Sequence, residues 1–146
     1  MNDIIYITLE QAIEIHRKTI YYSGGGSLGQ LNIGQLESVL QNIQNDDYYP
    51  NFVDKLTHLF YGTCEFHCFQ DGNKRLAITL STYFLLLNGY MSVSKDFLSA
   101  MENISYHVAS GKIGKELLYK ILLAIMDGTY NLDEALKLEI YNAISK

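Results

Sequence analysis

The chain has 146 residues, a formal net charge of −5, 48% apolar residues and 18% charged ones. That length and balance suit one folded domain over residues 1–146 and exclude a disordered chain. The acidic excess excludes a basic field able to hold a nucleic-acid backbone, so no nucleic-acid partner is expected.

A single proline, Pro50, in so long a chain favours helices. Met1 to Tyr6 shows no basic stretch followed by a long apolar one, so no export signal is expected and the cytoplasm is the expected location. Thr8-x-x-Gln11 has the form of a capping box, and Leu9, Ala12, Ile13 and Ile15 follow at helical spacing. A first helix is therefore predicted from about Thr8 to Tyr22.

Ser23-Gly24-Gly25-Gly26-Ser27 breaks that helix and opens a glycine-rich stretch through Gly29 to about Gly34. No strand precedes it, so it is not a dinucleotide-binding fingerprint. A mobile surface loop, able to act as a flap over a nearby site, is the expected role. Leu36, Val39, Leu40 and Ile43 predict a short amphipathic helix, ending near Asn45. Pro50 is expected to open a longer one reaching Phe66, since proline is tolerated in a first turn.

An apolar helix is predicted over about Asn73 to Leu87, stopped by Asn88-Gly89. Its apolar run from Leu76 is about a dozen residues, short of the roughly 20 that a membrane span needs. Further helices are predicted from Ser94 to about Ala109, Lys115 to Met126 and Leu132 to Ser145. A weak strand pair is conceivable near Gln30–Ile33 and Tyr90–Val93. The predicted fold is all-α, six or seven helices with a short hairpin-like flap.

Cys64, His67 and Cys68 give Cys-x-x-His-Cys, but no second ligand cluster exists to complete a structural zinc site. Two reduced core thiols are the expected state.

The informative segment is His67-Cys68-Phe69-Gln70-Asp71-Gly72-Asn73-Lys74-Arg75. It sets a histidine at one helix end, then an Asp-Gly-Asn turn, then two cations in the first turn of the next helix. Cations there oppose the helix dipole unless an anion binds between them. Free backbone N–H groups, a glycine and paired cations make a phosphate site. Asp71 can hold Mg²⁺, which binds through one or two carboxylates plus phosphate oxygens. Histidine is the residue type whose unperturbed side chain changes charge near neutrality, so His67 can take a proton from an attacking hydroxyl. Phe69, apolar in a polar run, anchors the turn. Singly each has a structural account: Asn73 a helix cap, Lys74 and Arg75 a solvated face, His67 a helix-terminal side chain. Nine consecutive positions carrying all of them favour the phosphate reading.

This string, HxFxDGNKR, resembles the signature of the Fic/Doc (Fido) family, and most closely its death-on-curing (Doc) toxin branch. The general Fic pattern is HPFxxGNGRxxR. The likeness extends to Gly26, Gly29 and Leu36-Glu37-Ser38, to Tyr49-Pro50, Lys55 and Tyr61-Gly62, and on to Asn88-Gly89. It covers about Tyr6 to Gly128. The resemblance implies a Fido helical bundle that transfers part of a nucleotide to a Ser, Thr or Tyr hydroxyl of a target protein. His67 would be the base and Asp71 the Mg²⁺ ligand. Gly72 with Asn73 would form a backbone-and-amide cradle, and Lys74 and Arg75 would bind phosphate.

Lys74 stands where AMP-transferring members carry a second glycine, and Ile78 where they carry a second arginine. In the Doc-like branch that lysine goes with transfer of the γ-phosphate of ATP, so a toxin-like protein kinase is expected, with AMPylation or a degenerate binding module as alternatives. Gly24, Gly25, Gly26 and Gly29 would form a target-docking flap, and a translation elongation factor is the target class the branch suggests. The inhibitory pattern [S/T]xxxE[G/N] is absent from the sequence, which implies a small antitoxin-like inhibitor acting in trans.

Overall fold

The computed structural model describes residues 3–146. Seven α-helices are formed among the described residues: α1 Leu9–Tyr22, α2 Ile33–Asn42, α3 Phe52–Glu65, α4 Asn73–Leu87, α5 Met91–Ala109, α6 Lys115–Asp127 and α7 Glu134–Ile144. A 3₁₀ turn, Tyr130–Leu132, precedes α7. The all-α expectation holds.

α1 starts where the sequence indicates. Thr8 accepts from the Gln11 N–H at 3.1 Å, and the Gln11 side chain accepts from the Thr8 N–H at 2.9 Å. Pro50 does not open α3. Asn51 caps it in a second reciprocal box with Asp54, at 2.9 and 3.2 Å, and proline sits one residue earlier. The Asn-x-x-Asp spacing satisfies two first-turn donors, which proline alone cannot do.

The proposed pairing of Gln30–Ile33 with Tyr90–Val93 is not formed. Met91 to Val93 are helical, and Ser94 lies inside α5 with its hydroxyl donating back to the Tyr90 carbonyl at 3.0 Å. Gln30 instead makes an isolated antiparallel bridge with Phe69.

α3 and α4 form the centre. α4 packs chiefly on α3 and α5, and α3 packs also on α6. Leu56, Leu59 and Phe60 of α3 meet Leu76, Ala77, Leu80, Phe84 and Leu85 of α4 in one fully buried cluster. Each large side chain removed from water there contributes roughly 1.5–3 kcal/mol. Both ends of the segment 66–72 are thus fixed by well-packed helices. Even Lys55 is enclosed: its ammonium donates to the Ile43 carbonyl at 2.8 Å and to Asp46 at 2.7 Å, tying α3 to the preceding loop. No described helix is long and apolar enough to cross a membrane.

Candidate active site

Segment 66–72 joins α3 to α4 and gathers the charged and polar residues of the motif. His67 has φ +48°, in the left-handed region, and its side chain is exposed. Histidine is among the few non-glycine residues found there, at a modest energetic cost. Asn32 holds this backbone, its amide donating to the carbonyls of Phe66 at 3.3 Å and His67 at 3.2 Å.

Cys68 and Phe69, the next two residues, are buried. Burial pushes the thiol of Cys68 up to about 11 and that of Cys64 up to about 12, so both are inert core groups rather than ligands or nucleophiles. They are unpaired, as the sequence implied.

Phe69 anchors the turn, 1% exposed, and its ring stacks on His16 at 3.6 Å between centroids and 11° between planes. His16 donates from Nε2 to the Asp71 carbonyl at 2.8 Å. Burial holds its pKa below the usual range, partly offset by that hydrogen bond, so the ring is neutral and acts as a donor. The motif reading overlooked His16. The signal was present: Ala12, His16 and Ile20 recur every fourth residue and form the buried stripe of α1.

The two helix-start residues divide the work differently from the expectation. The side-chain amide of Asn73 does not face an anion site. It donates to the Phe69 carbonyl at 2.8 Å and accepts from the Phe69 N–H at 3.1 Å, closing the turn on itself. What Asn73 can offer a ligand is its backbone N–H. Gly72 is the N-cap, with φ +82°, and no side chain caps the helix. A Cβ on Gly72 would lie 2.7 Å from Cδ1 of the buried Ile20, so both conformation and space require glycine.

α4 therefore begins with uncapped backbone donors and with Lys74 and Arg75 exposed in its first turn. No acidic residue offsets them there. Its positive end is thus uncompensated by any side chain of its own first turn, an arrangement able to receive an anion.

Asp71 is exposed, and its Oδ2 accepts from the backbone N–H of Ser27 at 2.7 Å. An ionised carboxylate has about four acceptor positions, so capacity for a cation remains. No group of three or more His, Cys, Asp or Glu side chains that could hold a metal occurs among the described residues. One carboxylate is the donor set that suits a Mg²⁺ ion sharing phosphate oxygens, and it does not suit a protein-only cage.

The glycine-rich flap is strapped across this turn. Gln70 donates to the Gly29 carbonyl at 2.9 Å, and Leu31 and Asn32 both donate to the Cys68 carbonyl at 2.9 and 3.1 Å. The Ser27 hydroxyl donates to Gln70 Oε1 at 2.6 Å. A Cβ on Gly29 would fall 2.6 Å from the end of the Gln70 side chain, which would have to swing aside. Gly24, Gly25 and Gly26 have positive φ values and lead into this strap, while Leu28 and Leu31 stand exposed on it. The segment expected to be a loose loop is thus paired over 27–32.

Beyond Arg75 a groove of about 620 Å³ runs between α1, α4 and α5. Its walls are mostly apolar, with Ile15, Tyr22, Ile78 and Leu98 among them. Ile78, at the departure from the Fic pattern, lines this groove.

The chain matches the model of the Fic/DOC family over residues 6–85, more than half its length. No curated protein matches the sequence.

Proposed function

The chain belongs to the Fic/DOC family, and we propose that it is a protein kinase of the Doc type, moving the γ-phosphate of ATP to a Ser or Thr hydroxyl of a target protein. The observation that carries this reading is the start of α4: a glycine cap with φ +82°, free first-turn donors, and Lys74 and Arg75 exposed beside them. Such a cradle stabilises the charge of a transferring phosphoryl group without rearranging, which is the larger part of catalysis in this chemistry.

In this reading His67 takes the proton of the attacking hydroxyl as the oxygen–phosphorus bond forms. The backbone N–H groups of the first turn of α4, with Lys74 and Arg75, hold the phosphate oxygens. Asp71 would hold Mg²⁺, which when bound supplies charge neutralisation between phosphates. Phe69, His16 and the side-chain amide of Asn73 keep the turn in place and touch no substrate. The whole chain would act as one Fic/Doc domain.

Lys74 and Ile78 are what support phosphate transfer over AMP transfer. Lys74 adds a charge at the cradle, and Ile78 gives the adjoining groove an apolar wall where a second arginine would grip more phosphate. Gly72, which matches the Fic pattern, supports AMP transfer as the second reading.

The test uses purified protein, Mg²⁺ and a bacterial lysate with γ-labelled and α-labelled ATP in parallel. Label on a protein band from the γ-labelled donor alone is the expected result, and an elongation factor is the expected band. Label from the α-labelled donor alone would establish AMP transfer. No label from either, with folded protein, would favour a binding module. A small antitoxin-like protein acting in trans is the expected restraint, and co-expression of small neighbouring proteins should suppress the activity.

A further inference from the structure

On the side of α3 that meets α6, a second cluster of polar groups plays no part in the chemistry above. His58 of α3 is 8% exposed and stacks on Tyr49, with centroids 4.7 Å apart and planes at 29°. Its Nδ1 lies 2.8 Å from Nζ of Lys115, the first residue of α6. Its Nε2 is buried with no partner. Lys115 is half-buried and borders a groove of about 570 Å³ lined also by Tyr48, Tyr49, Tyr119 and Lys120.

Three features oppose a proton on the Lys115 amine. The first is burial, which lowers the pKa of Lys115 against a smaller opposing pull from Asp54. The second is position: a cation at the first residue of a helix faces the positive end of the dipole, where Gly114 supplies no side-chain cap and Glu116 is the one acidic residue of that turn. The third is His58, which burial first and the Lys115 charge second push down to about 4, so the ring is neutral.

If Lys115 were an ammonium, it could only donate to Nδ1. The ring proton would then sit on the buried, unpartnered Nε2, at the full cost of an unsatisfied donor. A neutral amine lets the ring donate from Nδ1 and leaves only a lone pair at Nε2. Nζ of Lys115 lies 5.3 Å from the centroid of Tyr49, a contact that favours the cation and works against these features.

We propose that Lys115 is a nucleophilic lysine, a site of Nζ acylation by small activated acyl donors that enter the groove beside it. The amine lone pair forms the N–C bond to the acyl carbon. The bond from that carbon to the leaving oxygen or sulfur breaks with its electron pair. The proton lost from nitrogen passes to water or to the departing phosphate or thiolate. Releasing one hydrogen bond from His58 costs the amine far less than losing a proton costs an ordinary lysine, so the reaction favours this site over other lysines.

Lys120 is the internal control. It lines the same groove, but it is well exposed and pairs with Glu139 at 3.2 Å. The full chain is incubated near neutral pH with acetyl phosphate in one arm and an acetyl thioester in the other. Peptide mapping by mass spectrometry then gives the acetylation rate at each lysine. Lys115 should be acetylated severalfold faster than Lys120 in at least one arm. Which arm reacts identifies the donor. In denaturant the ratio should collapse to about one, because the environment is gone. Equal rates at Lys115 and Lys120 in the folded protein, in both arms, would overturn the proposal. So would a preference that survives unfolding.

Discussion

Helices α3 and α4 lie side by side in the core, yet their first turns are built in opposite ways. α3 opens with Asn51 and Asp54 in a reciprocal box, so its own side chains satisfy its donors and an acidic residue meets the dipole. α4 opens with a left-handed glycine, no cap and two cations. The first arrangement is made for stability. The second gives up that stabilisation, and the turn ahead of it is held by other means: the Asn73–Phe69 clamp, the His16 donor and the flap strap. The contrast teaches that a site can be recognised by the stabilisation it forgoes as well as by the residues it contains.

Four substitutions break or sharpen this contrast. His67→Ala should lower transfer by about 10²–10⁴-fold, the usual contribution of a positioned base, while ATP binding measured by calorimetry persists. Unchanged transfer would show that the open start of α4 works without this histidine. Asn73→Ala removes both bonds to Phe69 and should cost about 2 kcal/mol of unfolding free energy in denaturant titration, at about 1 kcal/mol per bond. Stability equal to that of the parent would mean the clamp is not what holds the turn.

Asn51→Ala should cost about 1 kcal/mol by the same measurement and leave transfer unchanged, since its role ends at the cap. A loss of transfer larger than the loss of folded protein would join the two helix starts into one functional unit. Lys74→Glu should stabilise the fold by about 0.3–1 kcal/mol, because it gives α4 the acidic first turn it lacks, and it should weaken ATP binding. A loss of stability would mean that the lysine is not in conflict with the helix dipole.

Much of this was legible in the sequence, because the relevant signals are local. The Thr8–Gln11 box, the apolar run of α4 and the Asn88-Gly89 stop are each written within a few residues. So is the motif itself, from His67 to Arg75. What was illegible depends on partners distant in the chain. His16 reaches the Asp71 carbonyl across 55 positions, and Asn32 reaches His67 across 35. No periodicity announces such bonds. The misreading of Tyr90–Val93 has another cause: a short apolar run fits helix or strand equally, and the packing of α5 decided it. Asn73 shows a third limit. Its residue type fits an anion cradle or a turn clamp, and only the geometry of both its amide atoms tells which.

The bond from the Ser27 N–H to Asp71 Oδ2 has a consequence for observation. It places a single amide proton in direct register with the carboxylate at the mouth of the site, from a segment 44 positions away. Anything that takes that oxygen for itself releases the proton, altering its resonance frequency and hastening its exchange with deuterium. Ser27 is thus an intrinsic spectroscopic reporter, able to register occupancy of the site before any product is made.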